Sequence, residues 1–345
     1  MRHVGFGRTG MAVSRLCLGT MTFGYQCDPE ASFAILDKAA ENGISFLDTA
    51  DAYPAGGELA DNGRTEEIIG DWLTARGARD DVVLASKFLA PMGPRPWHRG
   101  ASRKHIMDAV DGSLRRLQTD YLDLYQIHFP DPRTPIDETM SALDDLVDQG
   151  KVRYIGCSNF DAWRLARANG IAAAKGLRRF DSVQPRYSLL FRSYEQDLFE
   201  LCDLDDIAVI PYNPLAGGLL TGKHRQDAGP AENTRFSLGT AAERYQARYW
   251  QDQQFATVDG FRAIAAEAGI DMAELAIAWV LANPVITAPI IGASKPEQLD
   301  AGLAALDRTL DQDLLAALDD LTRIYRTAEF VDSPVAGPRG AERRS

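Results

Sequence analysis

Residues 122–160 read LDLYQIHFPDPRTPIDETMSALDDLVDQGKVRYIGCSNF. The stretch begins with the run LDLYQIHF and closes with VRYIGCSNF from Val152. Short runs rich in β-branched and aromatic residues are typical of buried parallel strands. Between the runs, Thr134 and Pro135 indicate a helix start with a cap and a first-turn proline, and Gly150 indicates the helix end. The stretch is therefore predicted to form a strand–helix–strand unit.

The same pattern repeats along the chain. Six further strand-like runs are LCLGTMTF from Leu16, ISFLDTA from Ile44, VVLASKF from Val82, SVQPRYSL from Ser182, IAVIPYNPL from Ile207 and ITAPIIGA from Ile286. Segments with helical periodicity, such as EEIIGDWLTARG and HIMDAVDGSLRRL, lie between runs. Eight strand–helix units without a break in composition predict an α/β fold, a (β/α)8 TIM barrel that forms a single domain over residues 1–326.

Three segments interrupt this rhythm. Residues 88–101 are too rich in proline and glycine for a helix, and residues 216–250 are a long excursion after the seventh strand. Because both follow strands, they are predicted to be long loops over the C-terminal mouth of the barrel, where the chemistry of this fold is found. Residues 327–345 have the composition of a flexible C-terminal tail.

The segment GFGRTG, from Gly5 to Gly10, has the G-x-G-x-x-G spacing of a dinucleotide-binding fingerprint. That fingerprint needs a full strand before it and a helix that starts within it. Only MRHV precedes Gly5, and the following MAVSRLCLGT is strand-like. The motif is therefore predicted to be the turn of an N-terminal β-hairpin that covers the closed bottom of the barrel.

Composition excludes several classes of function. The net charge of −12 disfavours nucleic acid as a partner. The sequence contains no signal peptide and no long uncharged apolar run, which predicts a cytoplasmic protein without a membrane partner. The four cysteines form no CxxC pair and predict reduced thiols. The five histidines form no HxH or HxxxH pair, so no metal site is expected.

Four titratable residues follow successive predicted strands. Asp48 and Tyr53 lie in FLDTADAY, Lys87 ends ASKF, and His128 lies in YQIHF. Each has a structural explanation on its own: a turn cap, a core aromatic with a solvated hydroxyl, a surface cation and a hydrogen-bonded histidine. Strand ends converge on one mouth of a barrel, and a lysine directly after VVLAS is half-buried and requires a partner. Together, the four residues indicate a catalytic site.

Further motifs extend this pattern over nearly the whole chain. The motifs are LGTMTFG, FLDTADAY, ASKF, YLDLYQIHFPDPRTP, GKVRYIGCSNF, the glutamine at 184, PYNPLAGGLLTGK and IIGASKPEQL. In this order, from Val4 to Tyr325, the chain resembles the aldo/keto reductase superfamily, and most of all its branch of non-animal reductases and potassium-channel β subunits. The resemblance implies a (β/α)8 barrel that binds NADP(H) in extended form without a Rossmann fold.

The resemblance also implies an activity, the NADPH-dependent reduction of an aldehyde or ketone to the alcohol. Tyr53 is then the general acid, Lys87 tunes it, Asp48 holds Lys87, and His128 orients and polarises the carbonyl. The chemistry fits these roles, because a tyrosine hydroxyl with a pKa near 10 is a reluctant acid and a neighbouring ammonium group lowers that pKa.

The resemblance further assigns cofactor contacts along the chain. Ser158, Asn159 and Gln184 match residues that hydrogen-bond the carboxamide, and Tyr212 matches the aromatic residue stacked on the nicotinamide. The other matching positions are Gly19, Thr20, Met21 and Asp48 near the nicotinamide, Asn213, Pro214, Leu215, Gly217 and Lys223 around the pyrophosphate, and Arg235, Gly292, Ser294 and Gln298 at the adenosine end. An ordinary solvated loop arginine is the alternative for Arg235.

Two departures affect the cofactor. Relatives commonly have Glu-Asn where this chain has Ala301 and Gly302, which removes polar contacts to adenine. Lys295 and Arg235 still supply positive charge for a 2′-phosphate, so NADP(H) is favoured, with NAD(H) as the alternative. Asn213 replaces a serine that is common in relatives.

The substrate is predicted to be a small carbonyl compound in a partly apolar pocket. The aromatic residues expected there, in loops at the mouth, are Phe23, Tyr25, Phe88, Trp97, Phe129 and Trp250. The main rival interpretation is a non-catalytic NADP(H)-sensing subunit like the channel β subunits. Those subunits carry asparagine in place of the catalytic histidine, and the presence of His128 favours an enzyme. A metal-assisted barrel hydrolase lacks the paired histidine ligands that it needs.

Overall fold

A computed structural model describes residues 1–327 of the chain. Within these residues the strands are β1 (His3–Gly5), β2 (Ala12–Ser14), β3 (Cys17–Gly19), β4 (Phe46–Asp48), β5 (Val83–Phe88), β6 (Leu122–Ile127), β7 (Val152–Ser158), β8 (Ser182–Gln184), β9 (Ala208–Val209) and β10 (Ile290–Gly292). The α-helices are α1 (Pro29–Glu41), α2 (Arg64–Arg76), α3 (Arg103–Leu117), α4 (Ile136–Asp148), α5 (Ala162–Lys175), α6 (Leu198–Leu204), α7 (Ala242–Tyr249), α8 (Asp252–Ala268), α9 (Met272–Ala282), α10 (Asp300–Ala305) and α11 (Gln312–Thr322).

Strands β3 to β10 form one parallel barrel. Their order is β10-β3-β4-β5-β6-β7-β8-β9, so neighbours in the chain are neighbours in the sheet. Parallel bridges from Val209 to Ile286 and from Tyr212 to Ile290 join the two ends of the sheet. Each of the eight strand-like runs contains one of these strands, and the predicted (β/α)8 TIM barrel is confirmed.

The barrel interior follows from the two-residue period of its strands. Cys17, Phe46, Ala85, Leu124 and Ile290 belong to a buried cluster inside the barrel. The residues adjacent to these in the strands, such as Leu18, Leu47 and Leu84, belong instead to the larger core that contains the helix residues. Alternate residues of a barrel strand face the interior and the surrounding helices, so each short run contributes to both cores.

The N-terminal hairpin closes the bottom of the barrel, as predicted. Strands β1 and β2 pair antiparallel, and the turn of GFGRTG lies between them. Phe6 is fully buried in the interior cluster, with its ring edge-on to Phe46 at a centroid distance of 5.9 Å. The Arg8 amide donates to the Asp206 carbonyl at 2.9 Å. The hairpin is therefore a plug, far from the strand ends at which the predicted site lies.

The start of α4 differs in detail from its sequence signal. The helix begins at Ile136, and the Thr134 hydroxyl donates to Asp131 Oδ2 at 2.8 Å instead of capping it. Asp131 also accepts from the Ala101 and Arg133 amides, at 2.9 Å each, so it organises this loop. The expectation that Thr134 is the cap is wrong, because a nearer carboxylate takes its hydroxyl.

Residues 88–101 contain no helix beyond the end of β5, as expected, whereas residues 216–250 contain α7 and several 3₁₀ turns. Of the predicted tail, only Thr327 lies within the described residues; the rest, and its flexibility, lie outside them. The single-domain boundary at residue 326 stays a prediction. Among residues 1–327, no helix is both long and apolar enough to cross a bilayer, and the four cysteines are buried and unpaired.

Candidate active site

The inward-facing rows of the barrel become polar at the carboxyl ends of the strands. Two residues after Phe46 comes Asp48, two after Ala85 comes Lys87, and Gln126 follows Leu124 in the same way. Side chains two apart on a strand share a face, so these polar groups form the layer above the apolar interior. The sequence alternation that fills the barrel therefore also delivers polar side chains to one point.

Asp48 is the centre of this polar layer. Its Oδ2 accepts from Lys87 Nζ at 2.5 Å, and its Oδ1 accepts from Gln184 Nε2 at 2.8 Å and Gln126 Nε2 at 3.2 Å. Lys87 also donates to the Thr49 carbonyl at 2.8 Å. The side chain of Lys87 has no exposed surface and that of Asp48 is 3% exposed. A buried ion pair persists when its remaining donors and acceptors are satisfied, as these are.

Tyr53 and His128 complete the group. Lys87 Nζ lies 3.4 Å from the Tyr53 hydroxyl oxygen, and the rings of Tyr53 and His128 meet edge-on with centroids 5.8 Å apart. His128 also stacks on Phe129, with centroids 5.0 Å apart. The structure thus brings together all four titratable residues predicted at the strand ends, although Asp48 and His128 are separated by eighty positions in the sequence.

The environment sets the protonation of these groups. Burial raises the pKa of Tyr53, and the nearby positive charge of Lys87 opposes that rise without cancelling it. As expected, Lys87 acts to lower this pKa, but the loss of water outweighs the ammonium group and the pKa stays above its usual value. Burial alone would lower the pKa of Lys87, but the negative charge of Asp48 reverses this and raises it. The pKa of His128 is well below its usual value because of burial, reinforced by the positive charges of Lys87 and Arg244.

A cleft of about 1250 Å³ opens above this layer. Asp48, Tyr53 and His128 line it, and Lys87 lies directly behind them. All seventeen residues assigned above to a cofactor also line this cleft, from Gly19 on β3 to Gln298 beyond β10. Among the described residues, no group of histidine, cysteine, aspartate and glutamate side chains could hold a metal ion.

Comparison with known proteins agrees with this geometry. The family model described as "Aldo/keto reductase family" matches residues 15–323. The chain belongs to the aldo/keto reductase family. It is 41% identical to "Uncharacterized oxidoreductase YrpG" of Bacillus subtilis, over 93% of this chain and 96% of the relative. It is 35% identical to "Protein tas" of Escherichia coli, over 94% and 99% of the two chains.

A third relative is named as a channel subunit. The chain is 36% identical to "Probable voltage-gated potassium channel subunit beta" of Oryza sativa subsp. japonica, over 89% of this chain and 92% of the relative. The predicted branch of the family, with bacterial reductases and channel β subunits, is thereby confirmed. The family and the name of the Bacillus subtilis relative support the conclusion that the protein is an oxidoreductase.

In this aldo/keto reductase, the residues assigned to the nicotinamide end are connected by hydrogen bonds. The Tyr212 hydroxyl donates to Asn159 Oδ1 at 2.8 Å, and Asn159 Nδ2 donates to the His128 carbonyl at 2.9 Å. The Ser158 hydroxyl donates to the Gln184 carbonyl at 2.8 Å. The Tyr212 ring is therefore fixed at its hydroxyl end close to His128, while Gln184 uses its amide nitrogen on Asp48.

The segment assigned to the pyrophosphate is built from left-handed backbone. Asn213 has φ +67° and Gly217 has φ +71°. The Gly217 amide donates to Asn213 Oδ1 at 2.7 Å, and Asn213 Nδ2 donates to the Tyr249 hydroxyl at 2.7 Å. Asparagine tolerates positive φ better than serine, and Asn213 also bridges this segment to α7 through Tyr249.

The segments assigned to the pyrophosphate and the adenosine carry positive charge that the described residues leave unmatched. Lys223, Arg235 and Lys295 line the cleft and form no ion pair within residues 1–327. Arg235 Nη1 is buried without a hydrogen-bond partner. Burial, reinforced by the charge of Arg235, lowers the pKa of Lys223. Of the two residues that replace Glu-Asn, Ala301 lines the cleft, whereas a Cβ at Gly302 would come within 2.8 Å of Ile291 Cδ1.

The structure brings only Phe129, of the six aromatic residues expected in the substrate pocket, into the cleft lining. Phe23 and Phe88 are fully buried in the core, where Phe88 packs on Tyr125. Trp250 packs on Phe236 and the core around it, with centroids 4.9 Å apart. These three are packing residues.

The other two aromatic residues face solvent. Tyr25 is 49% exposed, and Trp97 is 44% exposed beside Arg95 and His98. The correction has one physical cause: an aromatic residue in a loop is equally compatible with core, surface and pocket until tertiary contacts decide.

Sequence reasoning missed three residues of the site. Gln126 is fully buried on Asp48, and Arg244 and Arg248 on α7 line the cleft. The two-residue period from Leu124 predicts that Gln126 faces inward, so the sequence did contain a signal for this residue. The arginines carried no comparable signal, because α7 is a short helix inside a long loop.

Proposed function

We propose that the protein is an NADPH-dependent reductase of aldehydes and ketones. The observation that carries this proposal is the buried Lys87–Asp48 pair, whose ammonium group reaches the Tyr53 hydroxyl at the wall of the cleft. Reduction of a carbonyl needs a proton on the developing alkoxide, and this arrangement stabilises the anion that Tyr53 becomes when it gives its proton.

The residues present fit the proposed cofactor. When bound, NADPH supplies the hydride that attacks the carbonyl carbon. Tyr212, Ser158 and Asn159 would hold the nicotinamide, and the positive-φ segment around Asn213 and Gly217 would follow the pyrophosphate. The buried unpartnered Nη1 of Arg235 favours a cofactor with a 2′-phosphate, because a buried donor without an acceptor is costly. NADP(H) is therefore preferred to NAD(H).

The chain's own residues handle the proton and the substrate. The raised pKa keeps Tyr53 protonated at physiological pH, ready to donate. As the phenolate forms, the Lys87 charge stabilises it across 3.4 Å, and Asp48 keeps that charge in position. The depressed pKa keeps His128 neutral, so its ring positions the carbonyl by hydrogen bonding and does not compete as an acid.

Replacement of Tyr53 by phenylalanine tests the proposal. We expect Tyr53→Phe to lower kcat for 4-nitrobenzaldehyde with NADPH by about 10²–10⁴-fold, the usual contribution of a general acid, with the affinity for NADPH retained. Stopped-flow absorbance measures turnover, and quenching of tryptophan fluorescence measures NADPH binding. Tyr25→Phe is the matched control, because Tyr25 is exposed and lies outside the cleft.

Two results would contradict the proposal in different ways. Turnover retained by Tyr53→Phe, with the control unchanged, would mean that another group donates the proton. Tight NADPH binding by the unaltered protein, without turnover of any carbonyl tested, would instead indicate the non-catalytic NADP(H)-sensing subunit that is the rival interpretation. The cytoplasmic location and the absence of nucleic-acid and membrane partners stay predictions.

A further inference from the structure

The charge lining the cleft is opposite in sign to that of the protein. The whole chain carries −12, yet the cations of the cleft lining are Lys223, Arg235, Arg244, Arg248 and Lys295. The carboxylates that line it are Asp48, which is neutralised by Lys87, and Glu232 and Glu297. Among residues 1–327, none of the five cations forms an ion pair with a carboxylate. The cleft is therefore built to receive negative charge.

The proposed cofactor accounts for only part of this charge. Lys223, Arg235 and Lys295 lie in the segments assigned above to its phosphates. Arg244 and Arg248 lie on α7 and are separated by four residues, so they occupy one face of that helix. Arg248 Nε is buried without a hydrogen-bond partner. Two arginines on a cleft-lining helix face, neither paired with a carboxylate, remain to be explained.

Contacts around α7 place Arg244 near the catalytic group. Just before the helix, the Thr240 hydroxyl donates to the Gly57 carbonyl at 3.1 Å and its amide donates to the Gly56 carbonyl at 3.2 Å. Gly56 and Gly57 lie in the loop that carries Tyr53, so this loop holds the first turn of α7 beside the catalytic residues. The charge of Arg244 reaches His128, where it contributes to the low pKa of that imidazole.

We propose that Arg244, with Arg248 one turn further along α7, is an anion-binding site of the substrate pocket, and that the carbonyl substrate carries a carboxylate or phosphate group. This inference rests on the proposed reductase function and names its substrate class. A guanidinium group binds both anions through paired N–H donors. Arg244 is exposed at the cleft and therefore accessible to such a group, and Arg248 is half-buried behind it on the same helix. The anionic group would anchor on α7, and its carbonyl would then face Tyr53 and His128.

The preference for charged over neutral substrates tests the site. We expect the unaltered enzyme to show a higher kcat/KM for 4-carboxybenzaldehyde than for methyl 4-formylbenzoate, which is neutral. Arg244→Gln should lower this ratio about tenfold, and Arg244→Gln with Arg248→Gln should lower it further. Arg244→Lys should retain part of it. Glyceraldehyde 3-phosphate and glyceraldehyde form a second pair, and a preference confined to this pair would identify the anion as a phosphate.

Arg167→Gln is the matched control, because it makes the same change in charge at an exposed position of α5 outside the cleft. A direct binding measurement is the titration of 4-(hydroxymethyl)benzoate into the NADP⁺-loaded protein by calorimetry. We expect Arg244→Gln to weaken this binding about tenfold while the affinity for NADPH, measured by fluorescence quenching, is preserved.

The outcomes are distinguishable. An equal ratio in the unaltered enzyme, Arg244→Gln and Arg167→Gln would overturn the anion site but leave the reductase intact. A loss of NADPH affinity in Arg244→Gln that matches the loss of carboxylate binding would assign Arg244 to the cofactor and also overturn it. If no carbonyl is reduced at all, the proposed function fails, and the calorimetric comparison still decides whether Arg244 binds the anion.

Discussion

The Lys87–Asp48 pair shows how burial and charge jointly set the state of a single side chain. Burial alone would lower the pKa of Lys87, because the loss of water disfavours its charge, but the negative charge of Asp48 raises that pKa. The Asp48 carboxylate in turn accepts hydrogen bonds from Lys87 and from the amides of Gln126 and Gln184. The pair delivers a fixed positive charge to Tyr53, which surface groups in mobile loops could not do.

Asp181, at the opposite end of the barrel, illustrates the same desolvation without an adequate partner. It lies directly before β8, and its burial raises the pKa of the carboxyl to about 6, although Arg179 and Arg8 oppose the rise. The folded state thus holds its proton more tightly than the unfolded state. Stability from this group is fully present below pH 3.8 and is lost as the pH rises through 6.

We therefore expect Asp181→Asn to stabilise the protein at pH 7.5 by about 1–2 kcal/mol, a figure reduced for the partial solvent exposure of the group. Urea denaturation at pH 7.5 and pH 4.5 measures the effect, which should shrink at the lower pH because the folded wild type is then protonated. Asp80→Asn, at an exposed position, is the control and should show no such pH dependence. A gain that is equal at both pH values would contradict the desolvation argument.

At the scale of elements, the N-terminal hairpin separates a sequence motif from the function usually attached to it. Gly7 has φ +54°, and a Cβ there would lie 2.6 Å from the Asp206 carbonyl oxygen. At Gly5 and Gly10 a Cβ would meet no heavy atom within 4 Å, and neither residue has a positive φ. Only the middle glycine of G-x-G-x-x-G is therefore required, and the requirement comes from packing at the barrel bottom.

This contrast gives a prediction with internal controls. Gly7→Ala should destabilise the fold by about 1–3 kcal/mol, whereas Gly5→Ala and Gly10→Ala should each change stability by less than about 0.5 kcal/mol. Chemical denaturation measures stability, and fluorescence quenching measures NADPH affinity, which should be the same in all three variants. A loss of NADPH binding in stable Gly5→Ala or Gly10→Ala would mean that the motif holds the cofactor after all.

The elements also show which parts of the fold can be predicted from patterns in the sequence. Every barrel strand lies in a run recognised from its apolar residues, because two-sided burial demands such runs. The two-residue period then places Asp48 and Lys87 in one layer. Helix α7 could not be predicted in this way, since eight residues with little intrinsic stability depend on tertiary contacts such as those of Thr240 with Gly56 and Gly57.

At the scale of the whole molecule, the cleft is assembled from segments far apart in the chain. Gly19 on β3 and Gly292 on β10 are aligned on neighbouring strands, although they lie near opposite ends of the chain. Gln26 Nε2 donates to the Asn233 carbonyl at 2.6 Å from a loop more than two hundred residues earlier. Strand ends could be assigned to this cleft from sequence because barrel topology fixes their position. Loop aromatics such as Phe23 and Trp250 could not, because their contacts with other segments decide whether they face core or cleft.

Because the proposed cofactor contacts segments at both ends of the barrel sheet, its binding should stabilise the whole fold. NADPH at one hundred times its Kd should raise the free energy of unfolding by about 2.7 kcal/mol, and NADH at the same concentration should raise it less. Arg235→Gln should remove most of the difference between the two cofactors, because the variant lacks the buried Nη1 that would donate to the 2′-phosphate. Thermal unfolding with each cofactor measures this stabilisation.

Arg225→Gln is the control, since Arg225 lies in the same long loop but is exposed and paired with Asp227. Equal stabilisation by NADPH and NADH in the unaltered protein would contradict selectivity for the 2′-phosphate. A difference between the cofactors that survives in Arg235→Gln would assign this selectivity to Lys223 and Lys295.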